Sequence, residues 1–317
     1  MKPLLPLAIA AFTVLFGLPA HATAVYHYER AEGPARTLVV DAAGATVATL
    51  TDGARTAVFR GPTRTFDEPA ATTATVTTRD RVLLAPRPWH AGGETDGDLR
   101  AWLANTLAGS APDRGPDVLD IAMQYRRDTP DLVNANGIRY AGRAFFGPVV
   151  AGERITGSDF VDYLGVPWTY DDGVTQEPDP LHQDSLDCSG FLRMVFGYRS
   201  GYPVGRTPGP GVLPRTVSDF ATAGPGTVVV PDTGTAPSTA QLATLLPGDV
   251  LLFDLDPEDG PLLDHSGLYL GLDSAGQPRF ISSRKVHNAP TMGDRNGSSV
   301  LTGSGVFARV LREVRRL

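Results

Sequence analysis

One stretch, Leu186-Asp187-Cys188-Ser189-Gly190-Phe191, contains the only cysteine of this 317-residue chain. A lone cysteine has no partner for an internal disulfide, so it stays a free thiol. The residues that follow, 191–196, predict a helix that begins near Cys188. The macrodipole at the start of a helix favours the thiolate form of cysteine. The stretch therefore predicts a reactive cysteine, and a buried cysteine that acts only as a small apolar side chain is the alternative.

Residues 1–22 have the pattern of a secretory signal peptide. Lys2 precedes an apolar run at 4–18, and Ala20-His21-Ala22 fits a small-x-small cleavage site. An uncleaved membrane anchor stays open, although the run is short for a membrane span and is interrupted by Pro6 and Gly17. We expect a secreted protein without stable membrane insertion after cleavage. It would be extracellular or bound to the cell wall, or periplasmic in a Gram-negative cell.

The composition argues against several classes of function. The formal net charge is −7, which disfavours binding to nucleic acid or to anionic membranes. Lysine occurs only at Lys2 and Lys285. The histidines and the cysteine show no metal-ligand spacing, so we expect no metal and no cofactor. We expect a monomer.

Turn signals and hydrophobic periodicity divide the chain into four segments. After the signal peptide (1–22), residues 23–90 predict a small β-rich domain with short strands. Residues 91–157 predict a connector of helices and loops, with helices capped by Asp96 or Asp98 and by Asp117. Residues 158–317 contain the cysteine helix and then strands, which are predicted at 249–253, 266–270, 279–282 and 306–311. Ser158 is predicted to cap a short helical turn.

A reactive cysteine needs a base, and His265 is the best placed of six histidines. It directly precedes an alternating strand, after Asp264 and before Ser266-Gly267-Leu268-Tyr269. A strand end holds a side chain rigidly, which a general base requires. A purely structural histidine at the start of a strand is the alternative.

The ordered motifs resemble the NlpC/P60 family of papain-like cell-wall peptidases. Asp187-Cys188-Ser189-Gly190-Phe191 is similar to the family's nucleophile motif. The Pro-Gly-Asp strand and the His-x-Gly strand of the family are matched at 246–253 and 264–271, and its Leu-Pro-Arg-Thr at 213–216. The resemblance covers residues 158–317 and does not reach the β-rich segment.

This resemblance implies an α+β papain-like domain in which the cysteine helix packs on an antiparallel sheet. It implies hydrolysis of amide bonds in peptidoglycan stem peptides, commonly between D-γ-glutamate and a diamino acid. Cys188 would be the nucleophile and His265 the base, and the backbone N–H of Cys188 would help form the oxyanion hole. Asp187 would receive the free amino end of the peptide or simply cap the helix, and Ser189 belongs to the same substrate-binding set.

The sequence departs from the family in three places. The third catalytic position is Ser282, with His287 and Asn288 as substitutes. The family's Pro-Tyr is Pro167-Trp168 here, so Trp168 and the nearby Tyr170 are assigned to substrate binding. The segment between Cys188 and His265 is long. Two alternatives therefore stay open: a weak or inactive relative that binds wall peptides, and a CHAP-type amidase or acyltransferase that uses the same dyad.

Overall fold

A computed structural model describes residues 25–109, 115–256, 258 and 260–317. The predicted signal peptide lies outside these residues. The chain first forms a five-stranded antiparallel meander, in which each strand pairs with the next. The strands are β1 (Tyr26–Ala31), β2 (Arg36–Asp41), β3 (Thr46–Thr51), β4 (Thr56–Phe66) and β5 (Val76–Leu84). The short β-branched runs at 36–40, 46–50, 56–59 and 81–84 predict β2 to β5, and β4 and β5 extend beyond those runs. Strand β1 was not predicted.

The connector contains two capped helices and two short hairpins. Asp96 caps α1 (Gly97–Ala108), and Asp117 caps α2 (Val118–Met123), where Asp120 completes a capping box. Both helices start where the aspartates predict. The hairpins pair β6 (Leu132–Val133) with β7 (Arg139–Ala141), and β8 (Val149–Val150) with β9 (Glu153–Arg154).

The segment around the cysteine contains short helices and one hairpin. The N-cap of α3 is Asp159 and not Ser158, because the Ser158 hydroxyl is hydrogen-bonded to Nδ1 of His182 at 2.7 Å. The elements are α3 (Phe160–Leu164), β10 (Trp168–Thr169), β11 (Thr175–Gln176), α4 (Cys188–Leu192), α5 (Val217–Ala223) and α6 (Thr239–Leu242). The end of α4 continues as a π-helical turn, Arg193–Tyr198.

The last part of the chain builds a six-stranded antiparallel sheet. In sheet order its strands are β12 (Thr227–Val230), β17 (Leu311–Arg316), β13 (Val250–Phe253), β14 (His265–Leu272), β15 (Pro278–Arg284) and β16 (Ala289–Thr291). The strand predicted at 306–311 is wrong: α7 (Val306–Val310) is a helix, and the strand begins only at Leu311. Phe307 on this helix packs edge-on against Phe253 and Phe280, so tertiary packing decides its conformation.

Helix α4 lies on one face of the six-stranded sheet and contacts β14 and β15. Leu268 and Ile281 belong to the core on this face, together with Val76 and Val82 from the N-terminal meander. A second core covers the other face around Phe253. The predicted mixed α+β class with antiparallel sheets is confirmed. None of the helices in the described residues has the length and apolar character that a membrane crossing requires.

Candidate active site

Cys188 is the first residue of α4, and the neighbouring motif residues explain why the chain turns into a helix there. The carboxylate of Asp187 accepts a hydrogen bond from the backbone N–H of Gly190 at 2.8 Å. A side chain at Gly190 has no room, because a Cβ there would come within 2.1 Å of the carbonyl oxygen of Ser158. The segment before α3 therefore crosses the cysteine helix at van der Waals contact. This crossing fixes the position of Cys188.

Asp187 also belongs to a buried charge network. Arg215 donates to both of its carboxylate oxygens, at 2.7 and 3.2 Å, and to the hydroxyl of Ser189 at 2.8 Å. The backbone N–H of Gly157 donates to the same carboxylate at 2.8 Å. Burial alone would raise the pKa of Asp187, but the charge and hydrogen bonds of Arg215 hold it below its usual value. Asp187 is therefore an ionised N-cap whose oxygens are already engaged.

The Cys188 thiol is buried and protonated. Its Sγ lies 3.8 Å from the carbonyl oxygen of Asp264. Burial, followed by the negative charge of Asp187, raises the thiol pKa to about 12. This differs from the lowered pKa that the start of a helix alone predicts, since desolvation of a thiolate outweighs the dipole at this position.

The His265 ring lies in an aromatic environment. Its centroid is 5.7 Å from that of Phe253 and 5.5 Å from that of Phe307. Burial, and then the charge of Arg284, lowers the pKa of His265 to about 3. Its Nε2 is buried without a hydrogen-bond partner among the described residues. The imidazole is therefore neutral and has an unused nitrogen.

Two clefts meet at Cys188. The Arg215 cleft, about 380 Å³, is lined by residues that include Asp187, Cys188, Ser189, Arg215 and Leu263. The His265 cleft, about 670 Å³, is lined by residues that include Cys188, His265, Arg284, Lys285 and Phe307. The structure thus brings the predicted nucleophile and base to one cleft. Within the described part of the chain no hydrogen bond joins Sγ to the imidazole. His265 and Leu268 point to opposite faces of β14. Leu268 belongs to the core on the α4 side, so the imidazole leaves the strand on the face away from Cys188.

None of the three candidates for the third catalytic position is hydrogen-bonded to His265 among the described residues. The hydroxyl of Ser282 accepts from Nε of Arg284 at 3.0 Å. His287 has its Nε2 4.0 Å from Oε1 of Glu68, and the side chain of Asn288 accepts from the backbone N–H of Phe146. The assignment of Ser282 therefore stays a prediction, and its hydroxyl is engaged by an arginine.

Trp168 and Tyr170 lie outside the residues that line the two clefts. The Trp168 ring packs edge-on against Phe160 with centroids 5.2 Å apart. The Tyr170 hydroxyl donates to Gln176 at 2.7 Å and accepts from Arg193 at 3.0 Å. Their assignment to substrate binding stays a prediction that this geometry does not favour, because packing and hydrogen bonds within the protein occupy both side chains.

Sequence reasoning missed Arg284, which lines the His265 cleft and shifts the pKa of His265. The sequence could have indicated Arg284 by its spacing from Ser282, because residues two apart on a strand have side chains on the same face.

No group of three or more histidine, cysteine, aspartate or glutamate side chains that could hold a metal occurs in the described segments.

Comparison with protein-family models and with curated proteins gives no match. Among solved structures, NlpC1 from Trichomonas vaginalis is similar at 12% sequence identity. The similarity covers 93% of this chain and 90% of that chain, with a TM-score of 0.31. A TM-score this low does not establish a common fold. The function proposed below rests instead on the motifs and on the geometry of the site.

Proposed function

We propose that the chain is a secreted cysteine hydrolase that cleaves amide bonds in peptidoglycan stem peptides, with Cys188 as nucleophile and His265 as base. One observation carries the proposal: the thiol and a histidine with an unpartnered, buried Nε2 line the same cleft. A base must have a free nitrogen to take the proton of the nucleophile. The substrate class comes from the motif resemblance, and the location comes from the pattern of residues 1–22.

The raised pKa of Cys188 and the lowered pKa of His265 define the chemistry from which the reaction would start. Both groups are neutral at pH 7, and their pKa values oppose full transfer of the thiol proton to the imidazole before the reaction. In the proposed reaction the imidazole takes this proton as Sγ attacks the amide carbonyl, so that transfer and attack are coupled. The backbone N–H of Cys188 at the start of α4 is available to the developing oxyanion. The imidazolium then protonates the leaving amine, and a thioester forms. Water attacks the thioester with His265 again as base, which releases the acid and restores the thiol. Substrate binding has to bring Sγ and the imidazole into hydrogen-bond distance.

Digestion of purified peptidoglycan, followed by mass spectrometry of the soluble fragments, tests this function. Wild-type protein should release peptide fragments, and Cys188→Ala and His265→Ala should not, since loss of a catalytic nucleophile or base costs orders of magnitude in rate. His27→Ala is the matched control, because His27 is exposed, pairs with Glu29 and lies outside the lining of both clefts. Undiminished release by Cys188→Ala would contradict the proposal. Fragment masses also separate an endopeptidase from an amidase that frees whole stem peptides.

A second candidate is a wall-peptide binder with little or no activity. It is favoured by the protonated thiol and by the lack of a Cys188–His265 hydrogen bond among the described residues. Co-sedimentation with sacculi distinguishes the two functions. A binder would be retained by the sacculi without releasing fragments, and Cys188→Ala would bind as wild type does.

A further inference from the structure

Arg284 is a buried cation without a carboxylate partner in the wall of the His265 cleft. The residue is 3% exposed, and in the described residues no carboxylate oxygen lies within 4.0 Å of its guanidinium. The other deeply buried arginines differ. Arg193 pairs with Asp159, Arg279 with Asp273 and Arg316 with Asp249.

Neutral groups hold the Arg284 side chain in place. Nε donates to the hydroxyl of Ser282 at 3.0 Å, and Nη1 donates to the carbonyl oxygen of Gly297 at 2.6 Å. Nη2 donates to the hydroxyl of Ser299. The guanidinium also lies over the Phe307 ring, 4.4 Å from its centroid. These contacts fix the position of the charge, but they do not neutralise it.

A buried charge without a counter-ion is expensive, because the lost hydration is not replaced by an opposite charge. Burial lowers the pKa of Arg284 to about 9, against the opposing charges of Glu68 and Asp294, which lie beyond ion-pair distance. An anion that entered the cleft would supply the missing partner. Four of the five N–H donors of Arg284 are used by Ser282, Gly293, Gly297 and Ser299, so one donor on Nη2 is left for a carboxylate oxygen.

The position of Arg284 indicates which part of a substrate it would contact. The pairing of Leu268 with Ile281, continued along both strands, brings Arg284 opposite His265. The base that takes the thiol proton must later protonate the leaving amine. The amine half of the substrate therefore lies on the His265 side of Cys188. Lys285, the next residue, is exposed and adds a positive charge to the same cleft.

We propose that this wall of the His265 cleft is a carboxylate-binding subsite, in which Arg284 binds a carboxylate carried by the amine half of the substrate. The substrate class is then an amide whose leaving amine is an amino acid or diamino acid with a free carboxylate. The orientation of the substrate rests on the proposed function. The presence of an anion-binding wall does not, because it follows from the unpaired charge of Arg284.

Calorimetric titration of Cys188→Ala protein, which has no nucleophile, tests the subsite without turnover. The probes are L-lysine and cadaverine (1,5-diaminopentane), which is lysine without its carboxylate. We expect L-lysine to bind at least about tenfold more tightly, as one charge-assisted hydrogen-bonded pair provides. In Cys188→Ala/Arg284→Gln the two affinities should become equal. The same ratio should survive in part in Cys188→Ala/Arg284→Lys. It should survive fully in Cys188→Ala/Arg206→Gln, the matched control, because Arg206 lies outside the lining of both clefts and pairs with Asp172.

Equal affinities for the two probes in Cys188→Ala protein would overturn the subsite, whether or not the Arg284 variants fold. A preference that persists in a folded Arg284→Gln variant would also overturn it. Hydrolysis of peptidoglycan by wild-type protein is scored separately. If no fragments appear but the carboxylate preference depends on Arg284, the subsite stands and the proposed hydrolase fails. If fragments appear without the preference, the hydrolase stands and the subsite fails.

Discussion

Burial determines the protonation of the two candidate catalytic side chains. Cys188 and His265 are both buried, and each group is shifted toward its neutral form. Asp187, one residue before the thiol, is ionised because the charge and hydrogen bonds of Arg215 offset the loss of hydration of its carboxylate. The site therefore combines one stable ion pair with a neutral thiol and a neutral imidazole. A nucleophile in this state requires a base that acts during the attack.

The raised thiol pKa predicts slow alkylation of Cys188. Free cysteine has a pKa of about 8.5, and only its thiolate reacts. With the thiol pKa near 12, the rate with iodoacetamide at pH 7 should be at least about tenfold below that of free cysteine and should rise throughout pH 7–10. Protein unfolded in guanidinium is the control and should react like free cysteine. A rate that reaches a plateau below pH 7 would instead reveal a thiolate–imidazolium pair.

We expect the Asp187→Asn variant to be less stable than the wild-type protein, by an amount that depends on pH. The change removes the nearer of the two carboxylates that pair with Arg215, since Asp159 lies 3.8 Å from its Nε. Breaking a buried pair costs about 3 kcal/mol. The folded-state pKa of Asp187 is below its ordinary value of 3.8, so its contribution is present above that value and disappears as the pH falls through the folded pKa. Urea unfolding should show the full difference at pH 7 and a shrinking one below pH 4.

Asp172→Asn is the matched control for this prediction. Asp172 pairs with Arg206, and both side chains are more than 40% exposed. Solvent screens such a pair, so the variant should lose much less stability than Asp187→Asn. A loss in Asp187→Asn that is no larger than in this control would show that the buried pair contributes little to stability.

At the level of helices and strands, local chemistry made the helix starts predictable. Asp96 and Asp117 cap the helices that follow them, because an N-cap bond involves only neighbouring residues. The strand predicted at 306–311 failed because a short apolar run fits either conformation and long-range packing decides. Arg284 was missed for a related reason. Its place opposite His265 depends on the pairing register of two strands, which the sequence does not state locally.

We expect an alanine at Gly248, in the turn before β13, to lower the stability of the protein more than an alanine at an ordinary turn glycine does. Its φ is +93°, and a Cβ would lie 2.6 Å from Cγ1 of Val82. Gly276→Ala is the matched control, because Gly276 has φ +73° and open space around it. The control should lose about 1 kcal/mol from backbone strain. Gly248→Ala should lose about 1–3 kcal/mol more from overpacking. Unfolding in urea measures both, and equal losses would show that the contact with Val82 relaxes freely.

At the level of the whole molecule, the N-terminal meander and residues 158–317 share one core. Val58, Phe66, Val76 and Val82 belong to the same cluster of buried side chains as Cys188. Polar contacts also cross between the halves. The hydroxyl of Thr56 donates to the carbonyl oxygen of Leu317 at 2.6 Å, and Arg316 donates to the hydroxyl of Thr51 at 2.8 Å. The sequence predicts residues 23–90 and 158–317 as separate domains. That division stays a prediction, and the shared core links their stabilities.

Removing the meander should therefore prevent the rest of the chain from folding. A chain that begins at residue 91 exposes the apolar surface that β4 and β5 cover, which costs about 25 cal/mol for each Å². We expect loss of near-ultraviolet circular dichroism and of a cooperative thermal transition. A chain from residue 25, with the meander intact, is the control and should unfold in a single transition. A folded, active chain from residue 91 would contradict the shared core.

Because lysine is so rare in this chain, the His265 cleft can be labelled at a single amine side chain. Lys285 is the only side-chain amine in residues 25–317, and it stands exposed on the cleft wall. An amine-reactive fluorophore would thus attach to one side chain of this segment without an engineered labelling position. Its emission would change when a molecule enters the cleft. A fluorophore on Lys285 would therefore report binding in the cleft that Cys188 also lines. It could be used to screen substrates and covalent inhibitors without any change to the sequence.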